Sequence, residues 1–347
     1  MIRPKSSAKD LPPRMLRRKK VLASGKVWIG YYYNGRDENG RRKEIPLGPD
    51  LNDAKRKWAE LEGKTPPIDA GLMRYIFDRY ERNVIPTKAP RTRKDNIAEL
   101  KMLRKVFDTA PIDLVTTAHL AQYRDQRGVS ASVRANRELA LFSHVFNMAR
   151  EWGYTSKENP CRGLRKNKET PRSFYADDEV FNAVHDKSCQ ELKDAMILAY
   201  LTGQRPADVL NMRWADVQGK YLEVSQGKTG KRLKITIEGR LANLIDEIRS
   251  RKISGMNMIC TPSGVSLNKW TLRVRFQSAK ELAIEAALLA ENIQLSKKIG
   301  DFQFRDIRPK AASEMNLSHA KELLGHSDEQ LTRRVYQRVG SIVSPAK

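Results

Sequence analysis

The spacing of apolar positions predicts a small unit of β-strands and one helix near the N-terminus. Aromatic and β-branched residues in 26–33 and a second alternating run in 42–47 flank turn-forming residues, which predicts a β-hairpin in a small hairpin or three-stranded unit. A helical pattern follows over 54–62, and the Gly and Pro residues of 63–67 end it. We therefore predict a first domain over residues 1–65.

Apolar residues in 69–166 recur at the three-to-four spacing of buried helix faces. Leu139, Phe142, Val145 and Phe146 are an example of this spacing. The run 160–172 is basic, polar and interrupted by Pro and Gly, which is typical of an exposed linker. These patterns predict an all-helical second domain over residues 66–166.

The rest of the chain, residues 167–347, combines helical periods with one strand–turn–strand pattern. Strands are predicted over 221–224 and 233–237. The helical periods cover 180–184, 192–201, 241–249, 269–290, 307–315 and 320–324. The predicted fold class is therefore multidomain α+β, with a third domain that is mainly α and contains a small β-sheet.

The charge changes this picture by indicating a partner. Of the 347 residues, 65 are Lys or Arg and 41 are Asp or Glu, so the net charge is +24 and a polyanion is the expected partner. The 40% of apolar residues and the five Trp exclude a wholly disordered basic chain. No apolar run is long enough for a membrane span or a signal peptide. The three cysteines lack metal-ligand spacing and fit a reducing cytoplasm.

Positive charge is concentrated at the N-terminus, where residues 1–20 carry eight Lys or Arg and one acid. The positive charges of such a block repel one another, so we expect it to form an arm that stays out of a core and binds phosphates. The candidate phosphate contacts there and in the later segments are Arg3, Lys5, Arg14, Arg17, Arg18, Lys19, Lys20, Arg93, Arg134 and Lys231.

Five positions in the second half are candidates for chemistry, and each has an ordinary structural explanation. Arg205 can pair with Asp208, an exposed turn lysine is usually only solvated, a His after a helix-ending Gly is commonly a cap, and a Tyr beside Arg is commonly packed under a cation. Arg305 and Arg308 are three residues apart and can either share a helical face or pair with nearby acids. The five candidates are Arg205, Lys228, Arg308, His326 and Tyr336.

Together these five form a set suited to transfer of a phosphoryl group. A phenol is a weak nucleophile at neutral pH because its pKa is about 10, so it needs a stabilised transition state. Two Arg can neutralise the non-bridging oxygens, a His can bind an oxygen or move a proton, and a Lys can protonate the leaving 5′-oxygen. Such a site needs neither a metal ion nor another cofactor, and we expect none.

The same motifs resemble those of the tyrosine recombinases, specifically phage-type integrases. TGQRPADVLNMRWADV is similar to the first arginine motif of the family, QGKTGKRL to its hairpin lysine, FRDIRPKAAS to its second arginine box, and LLGHSDEQLTRRVY to the segment that ends in its nucleophile. The central segment resembles the family's core-binding domain, and the N-terminal one resembles the arm-type DNA-binding domain of lambda-like integrases.

The resemblance implies a role for each matched residue. Tyr336 would form a 3′-phosphotyrosyl bond, Arg205 and Arg308 would clamp the phosphate, Lys228 would be the general acid, and His326 would be the histidine of the last motif. Two departures from the family pattern stand out. Arg305 occupies a position that is usually His, which favours an electrostatic role there, and the spacing from His326 to Tyr336 is one residue longer than in the family.

The resemblance also implies partners. We expect the chain to bind core-type and arm-type sites on double-stranded DNA and to form a homotetramer that exchanges strands through a Holliday junction. A bending protein of the integration-host-factor type and an excisionase are expected partners. The expected location is the nucleoid in the cytoplasm of a bacterial host. The tail 339–343 could add a strand to a neighbouring subunit. Two other classes of function stay open. One is a binding-only protein, either a basic DNA-binding regulator or a recombinase-derived protein with silenced catalysis, and the other is a type IB topoisomerase.

Overall fold

The structure is a computed structural model that describes residues 11–22, 25, 27–36, 41–62, 71–336 and 338, without the side chains of residues 331 and 334. Arg3, Lys5 and the tail 339–343 lie outside the described residues. The chain divides into two compact units, Met1–Thr170 and Pro171–Lys347. No helix among the described residues is long and apolar enough to cross a membrane.

The first unit begins with a three-stranded antiparallel sheet whose strands pair in chain order. Its strands are β1 (Met15–Val21), β2 (Val27–Arg36) and β3 (Arg42–Gly48). Tyr31 and Tyr33 alternate along β2 and pack with Met15, Leu47 and Trp58 into a small core, because side chains two apart on a strand share a face. Helix α1 (Leu51–Glu62) covers this face and supplies Trp58.

The sheet corrects one expectation about the basic N-terminal block. Residues 15–20, which we expected in an unpacked arm, form β1 and pair with β2, with Met15 opposite Tyr33. Strand pairing uses the backbone, so the cationic side chains need not be buried, and Arg18 is also paired with Glu44 at 2.6 Å. The prediction of charge outside the core holds for Lys19 and Lys20, which are exposed.

A separate helical core fills the rest of the first unit. Its helices are α2 (Met73–Asn83), α3 (Pro90–Phe107) and α4 (Thr117–Glu151). Phe77, Phe107, Phe142 and Phe146 are buried at the centre, as the three-to-four spacing predicts. Helix α4 is interrupted at Ala131, where φ is −156° and ψ is 61°.

The second unit is mainly helical and has its own core. Its helices are α5 (Asp178–Asp186), α6 (Gln190–Thr202), α7 (Pro206–Leu210), α8 (Gly239–Ser250), α9 (Lys269–Leu289), α10 (Ile293–Asp301), α11 (Ile307–Ser313), α12 (Leu317–Leu324) and α13 (Glu329–Leu331). A small antiparallel sheet consists of β4 (Val217–Gln218), β5 (Tyr221–Ser225) and β6 (Arg232–Thr236), in that order. The predicted α+β class is confirmed.

The segment before α5 differs from the exposed linker that its composition predicts. It has neither helix nor strand, but Arg172 is partly buried and its guanidinium bonds to the carboxylate of Asp306. A buried carboxylate provides a partner for that cation, which composition alone does not reveal.

Candidate active site

Two helices end at a glycine, and each glycine is followed closely by a residue of the site. Gly203 ends α6 in the left-handed conformation, with φ 62° and ψ 14°, and Arg205 then starts α7 with Pro206 in its first turn. Gly325 ends α12 in the same way, with φ 68°, and His326 follows it. A Cβ at Gly325 would lie 3.0 Å from the Gln226 side chain, so glycine is needed there for close packing as well as for its backbone angles.

Arg308 is at the centre of the site, near the start of α11, and is only 3% exposed. Its Nη1 donates to the carbonyl of Gly203 at 2.6 Å and its Nη2 to the carbonyl of Leu324 at 2.9 Å. Nη2 also contacts Nε2 of His326 at 3.2 Å. Both helix ends are therefore held by one guanidinium, while its buried Nε has no hydrogen-bond partner among the described residues.

His326 is a neutral base in this arrangement. A guanidinium has only donors, so Nε2 accepts from Arg308 and Nδ1 carries the proton, which it donates to Oγ1 of buried Thr332 at 2.8 Å. Burial and then the nearby cations Arg308, Arg205 and Lys231 lower the pKa of His326 to about 4. The ring therefore remains uncharged at neutral pH and can accept a proton.

Tyr336 lies against both of these residues. It ends a π-helical turn, Thr332–Tyr336, and its ring centroid is 4.7 Å from that of His326. The guanidinium carbon of Arg308 is 5.2 Å from the Tyr336 ring centroid. A phenol, a neutral imidazole and a guanidinium are thus in mutual contact.

Arg205 joins the site through a buried amide. Its Nη1 donates to Oε1 of Gln226 at 3.3 Å and lies 3.8 Å from Oδ2 of Asp208. The ion pair with Asp208 that we weighed as an ordinary explanation therefore exists, but it is long. Asp208 uses its other oxygen to accept from the backbone of Gly227 at 2.9 Å, so one acid is shared between Arg205 and the hairpin turn.

The site carries more positive charge than its own residues neutralise. Burial, followed by the charge of Arg205, lowers the pKa of Arg308 to about 10, so it stays a cation at neutral pH. Both guanidiniums are cations, so an anion placed between them is stabilised by both. The arrangement is suited to a bound phosphate.

The hairpin lysine is placed by the turn between β5 and β6. The backbone amide of Gln226 donates to the carbonyl of Lys231 at 2.9 Å, and that of Gly230 donates to the carbonyl of Gln226 at 2.8 Å. Lys228 is exposed within this turn and has no hydrogen bond or ion pair with a described residue. The structure therefore puts Lys228 on a loop anchored to the site, without bringing its ammonium into contact with Arg308 or Tyr336.

Arg305 does not share a face with Arg308. It lies in the 3-10 turn Phe304–Asp306 and is exposed, whereas Arg308 is buried in α11. Neither Arg305 nor Arg308 forms an ion pair with the nearby acids Asp301, Asp306 and Glu314. Asp306 bonds to Arg172 and Arg338, and Glu314 bonds to Lys310. The shared-face prediction is wrong because the helix begins only at Ile307.

The phosphate-contact candidates that the structure describes lie in the first unit, except Lys231, which lies beside the hairpin turn of the second unit. All eight are exposed: Arg14, Arg17, Arg18, Lys19, Lys20, Arg93, Arg134 and Lys231. Arg18 also lies over the ring of Tyr32, and Arg93 donates to the carbonyl of Lys88 at 2.8 Å. Arg14 has a left-handed backbone, with φ 64°, and bonds to Glu62.

Sequence reasoning missed Gln204 and Gln226, which are both 1% exposed. Gln226 donates to Oε1 of Gln204 at 2.8 Å and to the carbonyl of Leu324 at 2.9 Å, and it accepts from Oγ1 of Thr229 at 2.7 Å. An amide directly before the hairpin glycine was the only signal for it. It links the three segments that carry Arg205, Lys228 and His326.

Comparison with known proteins finds similarity to phage integrases. Residues 175–341 match the phage integrase family model. The chain is 30% identical to the integrase of Enterobacteria phage 434 and 28% identical to that of Escherichia phage lambda, in each case over 65% of both chains. It is 25% identical to the integrase of Escherichia phage HK022 over 94% of this chain and 93% of that one.

The fold is also similar to solved structures. A lambda integrase tetramer bound to a Holliday junction matches with a TM-score of 0.66 and 22% identity, over 97% of this chain and 99% of that one. A lambda integrase dimer bound to a core site matches with a TM-score of 0.65, also at 22% identity, over 97% of this chain and 98% of that one. The matched segment spans 65% of the length of the 434 and lambda integrases.

Proposed function

We propose that this chain, which belongs to the phage integrase family of tyrosine recombinases, is a site-specific DNA recombinase that integrates or excises a phage or another mobile element. The observation that carries the proposal is the contact of Tyr336 with both Arg308 and His326 in a site with excess positive charge. A nucleophile, a neutral base and a phosphate clamp meet there.

The proposed chemistry proceeds in two steps. The Tyr336 oxygen attacks the scissile phosphorus and loses its proton, the bond to the 5′-oxygen breaks, and Lys228 supplies the proton that the leaving oxygen needs. Arg205 and Arg308 offset the charge that builds on the non-bridging oxygens. In the reverse direction a 5′-hydroxyl of the partner strand attacks the phosphotyrosine and releases Tyr336, so the phosphodiester energy is kept.

His326 is proposed to accept a hydrogen bond or the phenol proton, because it is neutral with a free lone pair once Arg308 turns to phosphate. Arg305 is proposed to act only through its charge. It is exposed and always cationic, so it attracts the backbone without moving a proton.

We propose that the domains 1–65, 66–166 and 167–347 bind arm-type sites, bind core-type sites and catalyse, respectively. The separate cores around Trp58, around Phe142 and in the second unit support this division. A homotetramer that acts through a Holliday junction is proposed because the lambda integrase match is such an assembly. A DNA-bending protein and an excisionase are proposed accessory partners, and the bacterial nucleoid is the proposed location.

A suicide substrate tests the function. Footprinting on the junction DNA of the encoding element first maps the core site, and a duplex with a nick beside the cleavage position is then incubated with the protein. We expect a covalent adduct that protease digestion shortens. Tyr336→Phe should bind with unchanged affinity and form no adduct, whereas the control Tyr221→Phe, on an exposed hairpin tyrosine, should react normally.

The outcome separates the remaining functions. Binding without an adduct in the wild type would contradict the enzyme and favour a DNA-binding regulator. Relaxation of supercoiled plasmids that lack the mapped site would favour a type IB topoisomerase instead. An adduct that depends on the mapped site supports the recombinase.

A further inference from the structure

Asp306, which lies between Arg305 and Arg308 in the sequence, has a buried carboxylate that forms ion pairs with two other arginines. The residue is 1% exposed, and its carboxylate accepts from Nε and Nη2 of Arg172 at 2.9 and 2.7 Å. It also accepts from Nη1 of Arg338 at 3.0 Å and from the backbone of Gln303 at 2.9 Å. A buried charge with this many donors is stable only while they stay in place.

Arg338 connects this carboxylate to the nucleophile, because it follows Tyr336 by two residues. Its guanidinium also donates to the carbonyl of Phe174, and its side chain is 10% exposed. Its backbone amide donates to Oγ of Ser313 at 2.8 Å, and that hydroxyl donates to the carbonyl of Tyr336 at 3.0 Å. The chain on the C-terminal side of Tyr336 is thus attached at two points, through the ion pair with Asp306 and through the hydroxyl of Ser313.

Both attachments end on the segment that carries Arg308. Asp306 directly precedes α11, Arg308 lies in its first turn, and Ser313 is its last residue. The turn that holds Tyr336 is a single π-helical turn, which is too short to keep its own conformation without tertiary contacts. The position of the phenol relative to Arg308 therefore depends on these contacts.

We propose that Arg338 and Asp306 are positioning residues for the nucleophile, and that their ion pair holds Tyr336 against the phosphate clamp before cleavage. The inference rests on the proposed function. It assigns the pair no contact with the substrate and no proton. The pair acts by raising the fraction of molecules in which the phenol is poised for attack.

This role predicts different effects on the two halves of the reaction. Before cleavage only protein contacts hold Tyr336, so losing the ion pair lowers the poised fraction. After cleavage the phosphotyrosine bond itself holds Tyr336 at the clamp, so rejoining does not need the ion pair. A residue that binds the phosphate, such as Arg308, serves both directions.

The test compares single-turnover cleavage of the nicked substrate at saturating protein with rejoining of isolated adduct by an added 5′-hydroxyl strand. Arg338→Met should cleave about tenfold to a hundredfold more slowly, since one charge-assisted hydrogen bond is worth that much. Its DNA affinity and rejoining rate should stay within about threefold. Arg338→Lys, which keeps the charge, should recover part of the loss.

Two further variants keep the test decisive. Arg333→Met removes an exposed arginine three residues before Tyr336 and should behave as wild type. Ser313→Ala removes both hydroxyl contacts without a change of charge, so it should slow cleavage in the same direction even if Arg338→Met does not fold.

The possible failures are distinguishable. Wild-type cleavage by Arg338→Met and Ser313→Ala would overturn the inference, and so would equal slowing of cleavage and rejoining. A wild-type chain that forms no adduct on its mapped site would instead contradict the proposed function on which the inference rests.

Discussion

The side chain of Gln226 should be as important to the site as its cations. It is 1% exposed and bonds to Arg205, Gln204, Thr229 and the carbonyl of Leu324. The substitution Gln226→Met keeps the length of the side chain but removes every one of these hydrogen bonds. Its effect therefore reports on the polar network rather than on packing volume.

The cost follows from what each partner can do afterwards. Leu324 still receives a hydrogen bond from Arg308, and Thr229 is exposed and can turn to water. The buried oxygen of Gln204 loses the only donor it has among the described residues. That unsatisfied oxygen costs about 1–3 kcal/mol and the lost bond to Leu324 about 0.5–1.5 kcal/mol, so the hairpin should be destabilised by about 1.5–4.5 kcal/mol.

Hydrogen exchange of the amides in residues 221–236 measures this cost locally. A loss of about 1.5–4.5 kcal/mol should speed their exchange by about tenfold to two-thousandfold, and should also slow cleavage because Lys228 lies on the same turn. Gln218→Met is the matched control, since Gln218 is an exposed glutamine of the same sheet. Exchange within about twofold of wild type for Gln226→Met would refute the reasoning.

Three other predictions concern charge. Arg308→Lys should slow cleavage about a hundredfold or more, because one ammonium cannot serve two buried carbonyls and a phosphate, and single-turnover cleavage measures it. In the DNA-free protein, NMR titration should find His326 neutral down to about pH 4. Because the ring binds a proton below about pH 6.5 in the unfolded chain, the free energy of unfolding should fall as the pH drops from about 6.5 to about 4. A ring that titrates near pH 6.5 in the folded protein would contradict this prediction. Neutralising Lys19 and Lys20 should weaken DNA binding and flatten its salt dependence by up to about 0.9 per lost phosphate contact, and an unchanged slope would contradict that.

Periodicity and turn residues were sufficient for most elements of the fold. Helices over 241–249 and 269–290 correspond to Gly239–Ser250 and Lys269–Leu289, and the strand at 221–224 to Tyr221–Ser225. Such elements follow from local spacing, since their apolar faces repeat within a few residues. The first strand, Met15–Val21, was obscured because its side chains are mostly charged and only its backbone and Met15 hold it in the sheet.

The types of residue at the site were also readable from the sequence, because an ordered set of cations, a His and a Tyr suits one kind of chemistry. The burial and protonation of these residues were not readable from the sequence. The burial of Arg308, the exposure of Arg305 and the neutral state of His326 depend on carbonyls and charges contributed by residues 16 to 121 positions away along the chain.

The sequence by itself therefore determined the elements, the excess of positive charge and the candidate chemical groups. Only the tertiary structure decided which groups meet, that Gln226 links them, and that Asp306 holds Arg338 rather than either arginine of its own motif. The physical reason is that hydrogen bonds and pKa shifts act over a few ångströms, and the chain brings distant residues to that distance only when it folds.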